Sequence, residues 1–464
     1  MPPLLPEIFG RQDVDDLVLL SHLQFTTSYH TFAYEILSFF YERNGFEKIG
    51  CSLLKDLSIM RIVEPTSKLH SVELLKEHFA ITYPINRIYE ELPKIKLLKE
   101  DIGKAAVSYA QQLGFDFSLV FYDVTTLYFE TFKEDEDVKD KKGNTTVGLR
   151  KQGFGKERKP GQPQIVIGLV VNNEGYPISV EIFSGKTFEG HTMLPVIQEL
   201  KKKYGIKTLT IVADAAMLSL NNTKAIVDAE LSYIVGARMG SIPTKLLNEI
   251  SKKINKTEKK YIRVKTDWGT LICDYSEKRA AKDRADRKKQ LLKAQYQIEN
   301  PENVKRRVRF VTEETKATLV LNQELIDQDI LREGIKGYYT NLKKVPSKLI
   351  IKRYHDLWHV EKAFRIAKSD LEARPIFHHK RESIETHILI VFVSLCIAKS
   401  IELKTGYSIK KVRDAIWRIL DAELVDTLTN KKFIKRMETT GNEIAELLKQ
   451  LTYVENLKKR VLKK

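Results

Sequence analysis

Cysteine is scarce in this chain: three among 464 residues, Cys51, Cys273 and Cys396, far apart and without a Cys-x-x-Cys pair. That excludes a zinc knuckle and a disulfide framework, and it points to a reducing compartment. The N-terminus, Met1-Pro-Pro-Leu-Leu-Pro6, lacks the basic stretch and long apolar core of a signal peptide. Long hydrophobic runs are also missing. The longest, Ile388 to Ala398, is too short to span a bilayer and reads as a buried helix. No internal repeat and no clear helix-turn-helix pattern is visible. The expectation is a soluble, cytoplasmic protein with no membrane partner.

Negative charge is the other shortage. Seventy-eight Lys and Arg stand against 61 Asp and Glu, a formal net charge of +17. The excess is spread along the chain, in runs such as Lys201-Lys-Lys203, Lys305-Arg-Arg307 and Lys458-Lys-Arg460. Distributed basicity favours an extended polyanion such as DNA, although basicity alone does not separate DNA from RNA or an anionic membrane.

Periodicity divides the chain. Residues 1–115 are mostly helical, broken near Pro65 and Pro84, and suit a possible DNA-end-binding region. From 116 to 239 the pattern turns to strands. Leu119 to Phe129 is the first, and Gln164–Val171 and Tyr176–Phe183 flank Asn172-Asn-Glu-Gly175, a strong hairpin signal. Helix, strand, helix and strand follow. Three strands, helix, strand, helix, strand is the order of a ribonuclease-H-like core, an α/β fold with a mixed central sheet. Residues 240–345 are too long and too patterned for a loop and read as an inserted subdomain. The core resumes over 346–405, and 406–464 reads as a helical, basic C-terminal region.

Three carboxylates stand out against this background. Asp123 interrupts the apolar run from Ser118 to Phe129, Asp214 closes the strand Thr208–Asp214, and Glu361 lies in a helical stretch from Tyr354 to Lys368. Phosphodiester transfer is well served by two divalent cations, one activating the attacking oxygen and one stabilising the leaving oxygen. Carboxylates are the natural ligands for Mg2+ or Mn2+. A lone Asp in a strand is more often a structural hydrogen-bonder; three acids in this element order are a stronger signal than any one. On one continuous helix, Tyr354, Leu357, Trp358, Glu361, Arg365 and Lys368 fall within an arc of roughly 100°. Cations and aromatics beside a metal-binding acid make sense if DNA phosphates lie against that face. The competing reading is a surface helix with a Glu361–Arg365 pair.

Two further segments need weighing. His355 and His359 are spaced as in a zinc-protease helix, but Asp356 stands where Glu is needed and no third ligand is evident. The stretch Lys133–Pro163 is charged and ends glycine-rich. Its Lys151, Lys156, Arg158 and Lys159 are candidate phosphate contacts, with a solvated loop as the alternative.

On these residues the chain resembles bacterial insertion-sequence transposases of the DDE type, in the group with a Y-R-E-K signature. The matching pieces include Phe121–Thr126, Ile211–Met217, Tyr233–Arg238, Ser276–Arg284, Tyr339–Asn341 and Leu371–His379, with a weaker likeness over Arg61–Lys68. The signature's Tyr, Glu and Lys fall on Tyr354, Glu361 and Lys368; its Arg position holds Leu357. The resemblance implies Asp123, Asp214 and Glu361 as catalytic, metal-holding acids with two ions per site. It implies that Tyr354 and Lys368 contact the transposon end, with Arg365, Trp358, Arg158 and Lys159 as further candidate DNA contacts. It also implies a homodimer or higher multimer on paired DNA ends, in a bacterial, nucleoid-associated setting. The competitors are a catalytically inactive DNA-binding descendant and a ribonuclease-H-like nuclease without strand transfer.

Overall fold

A computed structural model describes residues 18–139, 143, 145–153, 161–217, 220–303, 308–315, 318–438 and 440–461. The chain divides into two compact units. One comprises residues 1–109, 365–374 and 378–464; the other comprises 110–364 and 375–377.

The first unit is organised on helix Arg381–Thr405, which packs against helix Ser52–Val63 and the 3-10 segment Leu92–Leu98. Ser394 donates to the Ser58 carbonyl at 2.9 Å, and Thr386 donates to the Leu92 carbonyl at 3.0 Å. The apolar run inside this helix looked too short for a bilayer, but the whole helix has 25 residues. By length and composition it is sufficient to cross a membrane, yet 94% of its apolar window is buried within the protein. A helix buried on all sides is apolar all round for the same reason as a membrane span. The unit also holds strands where helices were expected. Leu23–Tyr29 pairs antiparallel with Leu420–Asp426, which pairs with Lys432–Met437.

The second unit is a mixed α/β structure on an eight-stranded sheet. Its strands in chain order are β1 (Leu119–Tyr128), β2 (Gln164–Val171), β3 (Pro177–Ser184), β4 (Thr210–Ala213), β5 (Ser232–Gly236), β6 (Ile262–Thr266), β7 (Gly269–Tyr275) and β8 (Ile335–Thr340). Across the sheet they run β3-β2-β1-β4-β5-β8-β7-β6. β1, β4 and β5 are mutually parallel and the other pairings are antiparallel. Every residue of β2 is buried, as expected of a strand covered on both faces. The Asn172–Gly175 hairpin forms. The Asn172 side chain accepts from the Glu174 and Tyr176 amides at 3.0 and 2.8 Å, and Gly175 takes the positive φ (81°) that closes the turn.

Strands β6, β7 and β8, all from residues 240–345, extend this same sheet. The rest of that span builds a small core of its own. Helix Glu277–Glu299 sets Ala294 against Phe310, Val311 and Ile326, with Leu291 and Ile298 packed around them.

The stretch from Tyr354 to Lys368 is not one helix. Ser347–His355 stops, and Trp358–Arg365 begins after a turn at Asp356–Leu357. Through the turn the bonds tighten to the i−3 pattern: the Leu357 amide donates to Tyr354, His359 to Asp356 and Val360 to Leu357, at 3.1, 3.0 and 3.1 Å. The tightening turns Leu357 into the core (5% exposed) and leaves Trp358 half exposed at 47%. The single helical face expected from the sequence is therefore corrected to two short helices with separate faces.

Candidate active site

The register of β1 and β4 sets the site. Tyr122 and Ala213 are partners in the parallel pair, so the next residues, Asp123 and Asp214, follow side by side on neighbouring chains. Neighbouring strands lie about 4.8 Å apart, which puts the two backbones within reach of one cation. Asp123 is half-buried within its strand, whereas Asp214 is exposed just beyond the end of β4. There the chain leaves the sheet through a 3-10 turn, and the Ala215 amide donates to Asp214 Oδ1 at 2.6 Å.

Tyr354 closes over this pair. It is buried, and its hydroxyl donates to Asp214 Oδ1 at 3.3 Å. Burial pushes the phenol's pKa up, reinforced by the Asp214 charge and hydrogen bond and by the charges of Glu361 and Asp123. The same hydroxyl thus feels all three acids. It stays protonated throughout the neutral range and acts as a donor, not a base. Glu361 is exposed on helix Trp358–Arg365.

The ring of Tyr354 is seated by residues that pattern reading passed over. It packs edge-on against Tyr338, with centroids 4.9 Å apart, and Lys336 Nζ stands 4.8 Å over its face. Gly236, the last residue of β5, leaves the room; a methyl there would collide with the Tyr354 hydroxyl and ring. Lys336 lies directly across from Asp274 in the β7–β8 register. Burial and the Arg279 charge pull the Lys336 pKa down, while Asp274, Asp214 and Glu361 hold it up. Burial raises the Asp274 carboxyl, opposed by His355, Tyr338 and Lys336. The signals were present: Lys336 and Asp274 are lone charges in apolar strands, as Asp123 is, and a glycine ending a strand often marks a close approach.

The remaining expected residues separate. Leu357, the residue expected beside Tyr354 on one helical face, is a core side chain. Trp358 stacks on His359 at 4.0 Å. Arg365 and Lys368 fall in the first unit, the latter in the π-helical turn Ile366–Asp370. Arg158, Lys159 and Lys156 lie outside the described residues. Lys151 is engaged by Asp137 at 3.2 Å and Glu134 at 3.9 Å, so its charge already faces carboxylates. The two histidines sit on separate helices, and His355 Nε2 lies 3.2 Å from the Tyr338 hydroxyl. Among the described residues, no group of three or more His, Cys, Asp or Glu side chains is gathered closely enough to hold a metal ion. The oxygen donors suit a hard cation in kind, and Asp123 with Asp214 suit it in register; Glu361 is not drawn into one cluster with them.

Two adjacent acids on parallel strands, capped by a tyrosine in the field of a third, define a carboxylate site on an α/β sheet. The profile of the Transposase DDE domain family matches residues 116–397, and the chain belongs to that family. No curated protein sequence matches it. Among solved structures it is similar to the piggyBac transposase in a synaptic complex with hairpin DNA, seen by cryo-EM. That similarity has 10% identity and a TM-score of 0.38, covering 83% of this chain and 70% of that one.

Proposed function

We propose that this chain is a DNA transposase that cuts and rejoins the ends of a bacterial insertion sequence by divalent-metal-dependent phosphoryl transfer. Asp123, Asp214 and Glu361 are the acids of the reaction. The observation that carries the reading is the Tyr354 hydroxyl, bonded to Asp214 and acted on by the charges of all three acids. The strand order β3-β2-β1-β4-β5, with Asp123 and Asp214 where β1 and β4 run parallel, supports a ribonuclease-H-like reading of the sheet.

The chain's own residues divide the work. Asp123 and Asp214 would hold a Mg2+ or Mn2+ ion, with Glu361, exposed and free to rotate, as the further oxygen donor. When bound, such ions lower the cost of generating the attacking oxygen and of charge on the leaving one. Tyr354 and the Ala215 amide both donate to Asp214 Oδ1 and so help orient the carboxylate. The Lys336 ammonium, in the field of Asp214 and Glu361, offsets part of the negative charge gathered there. Water and then the freed 3′-hydroxyl are the nucleophiles of cutting and joining, on paired DNA ends held by a multimer.

The open arrangement of the three acids favours a second reading, a transposase-derived DNA-binding protein without catalysis. Cleavage and joining of labelled element-end DNA with Mg2+, comparing wild type with Glu361→Gln and Asp214→Asn, separates the two. Loss of product in the variants with DNA binding retained supports the transposase. Binding without product in all three, on a verified end sequence, supports the alternative. Cutting without joining of a supplied pre-cut end would leave a nuclease.

A further inference from the structure

Helix Glu277–Glu299 sorts its cations by type. Its arginines are committed to carboxylates: Arg284 to Glu333 at 2.7 Å and to Glu277 at 2.5 Å, Arg287 to Glu333 at 2.5 Å, and Arg279 to Asp283 at 3.7 Å. Its lysines are not. Lys278, Lys282, Lys288, Lys289 and Lys293 are exposed and make no ion pair among the described residues, and all but Lys288 share one face. At 100° per residue, with Lys278 at zero, Lys289 falls at about 20°, Lys282 at about 40° and Lys293 at about 60°. Tyr296, 55% exposed, returns to about 0°. The packed residues Leu291, Ala294 and Ile298 lie at about 160° to 220°, on the opposite side. The exposed acids Asp286 and Glu299 flank the stripe, at about 80° and −60°, and leave its centre purely cationic.

We propose that this stripe is a second DNA surface, one that grips the backbone of duplex DNA without reading its sequence. Four ammonium groups along about 23 Å of helix match the length of about seven base steps, and lysine serves phosphate as a point charge on a flexible stem. Tyr296 adds a phenol able to donate to a phosphate oxygen. An ordinary solvated helix face needs only scattered charges of both signs; here one sign is aligned while the helix's arginines are neutralised. The choice of duplex DNA as occupant rests on the transposase reading.

The test is the salt dependence of binding of the full chain to a labelled duplex of unrelated sequence. The quadruple variant Lys278→Gln, Lys282→Gln, Lys289→Gln, Lys293→Gln is compared with an equal charge change elsewhere in the same unit: Lys202→Gln, Lys203→Gln, Lys245→Gln, Lys252→Gln. Each lysine that contacts a phosphate contributes about 0.9 to the slope of log K against log salt, so the stripe variant's slope should fall by about 3.6. Between 50 and 200 mM salt its loss of affinity should then be about 100-fold smaller than that of wild type. The control should lose less than about one unit of slope. An unchanged slope in the stripe variant, or an equal fall in the control, overturns the proposal. Cleavage is not read, so failure of the catalytic reading, seen as full activity in Asp214→Asn, would leave this slope intact and be recognised separately.

Discussion

The two units set their most conspicuous ionisable groups in different surroundings. In the first, Arg61, Lys68 and His387 are buried to between 4% and 6% exposure. Lys68 reaches His387 Nδ1, His387 Nε2 lies 3.0 Å from the Ala373 carbonyl, and the Arg61 guanidinium donates to the Thr66 carbonyl at 2.9 Å. Burial pulls the Arg61 pKa down to about 10 and depresses Lys68 and His387 strongly. In the second unit, Asp214 and Glu361 stand in solvent. A charge held in the interior is a cost met by packing, and it ties stability to pH. A carboxylate kept exposed beside another costs the fold little and is available to a ligand. The first arrangement is that of architecture, and the second is the one that the proposed chemistry requires.

The sharpest way to break that contrast is to neutralise the three candidate acids. Asp123→Asn, Asp214→Asn and Glu361→Gln should each lower end cleavage by about 10³-fold or more, the loss of several kcal/mol of charge stabilisation. The melting temperatures of the Asp214 and Glu361 variants should stay close to wild type, since exposed positions shift stability little. A variant that unfolds would place that acid with the first unit's architectural charges. The reverse experiment inserts a charge into the core. Leu357→Arg places a cation at a position 5% exposed, and it should destabilise by about 3 kcal/mol or more. Unchanged stability, measured by denaturant unfolding, would mean that the side chain finds solvent or an acid.

A gentler change tests how far architecture reaches into the site. Gly236→Ala drives a methyl into the Tyr354 ring, so it should cost about 1–3 kcal/mol in stability and, by moving the phenol off Asp214, about 10-fold in cleavage. Tyr354→Phe should reproduce the cleavage loss without the strain. If Gly236→Ala lowers stability and leaves cleavage alone, Tyr354 is a packing residue and the hydrogen bond is incidental.

What was legible in the sequence was local. The hairpin at Asn172–Gly175 rests on turn chemistry within four residues, and Asp123 and Asp214 were conspicuous because a charge in an apolar strand has few neighbours that tolerate it. The helix break at Asp356–Leu357 was hidden, because helical spacing there is intact and only tertiary burial of Leu357 selects the tighter turn. Pairings between distant segments were hidden too. Nothing near Leu23–Tyr29 announces Leu420–Asp426 as its partner, and Lys336 acquires meaning only when β8 lies beside β7 and under Tyr354. Local pattern reports which residues are unusual; the sheet order decides which of them meet.

The smallest expected effect comes from acid, and it falls on the first unit. His30 stacks on Trp417 at 3.5 Å, and burial, then the His78 charge, lowers its pKa to about 4. Burial, with Lys68 and Arg61 nearby, lowers His378 to about 4 as well. Each imidazole is neutral when folded and takes a proton more readily when unfolded. The stability this gives is therefore complete above about pH 6.5 and drains away as pH falls towards 4. Between pH 7.5 and pH 5 the first unit's melting transition should fall by about 5 °C, and His30→Phe, which keeps the stack without the titrating ring, should flatten the slope. The Tyr354 phenol, displaced upward, adds no acid sensitivity of its own, whereas burial lowers the His355 pKa in the second unit in the same direction. A wild-type transition level from pH 7.5 to 5 would show that these histidines are hydrated in solution, and would remove the buried-charge side of the contrast.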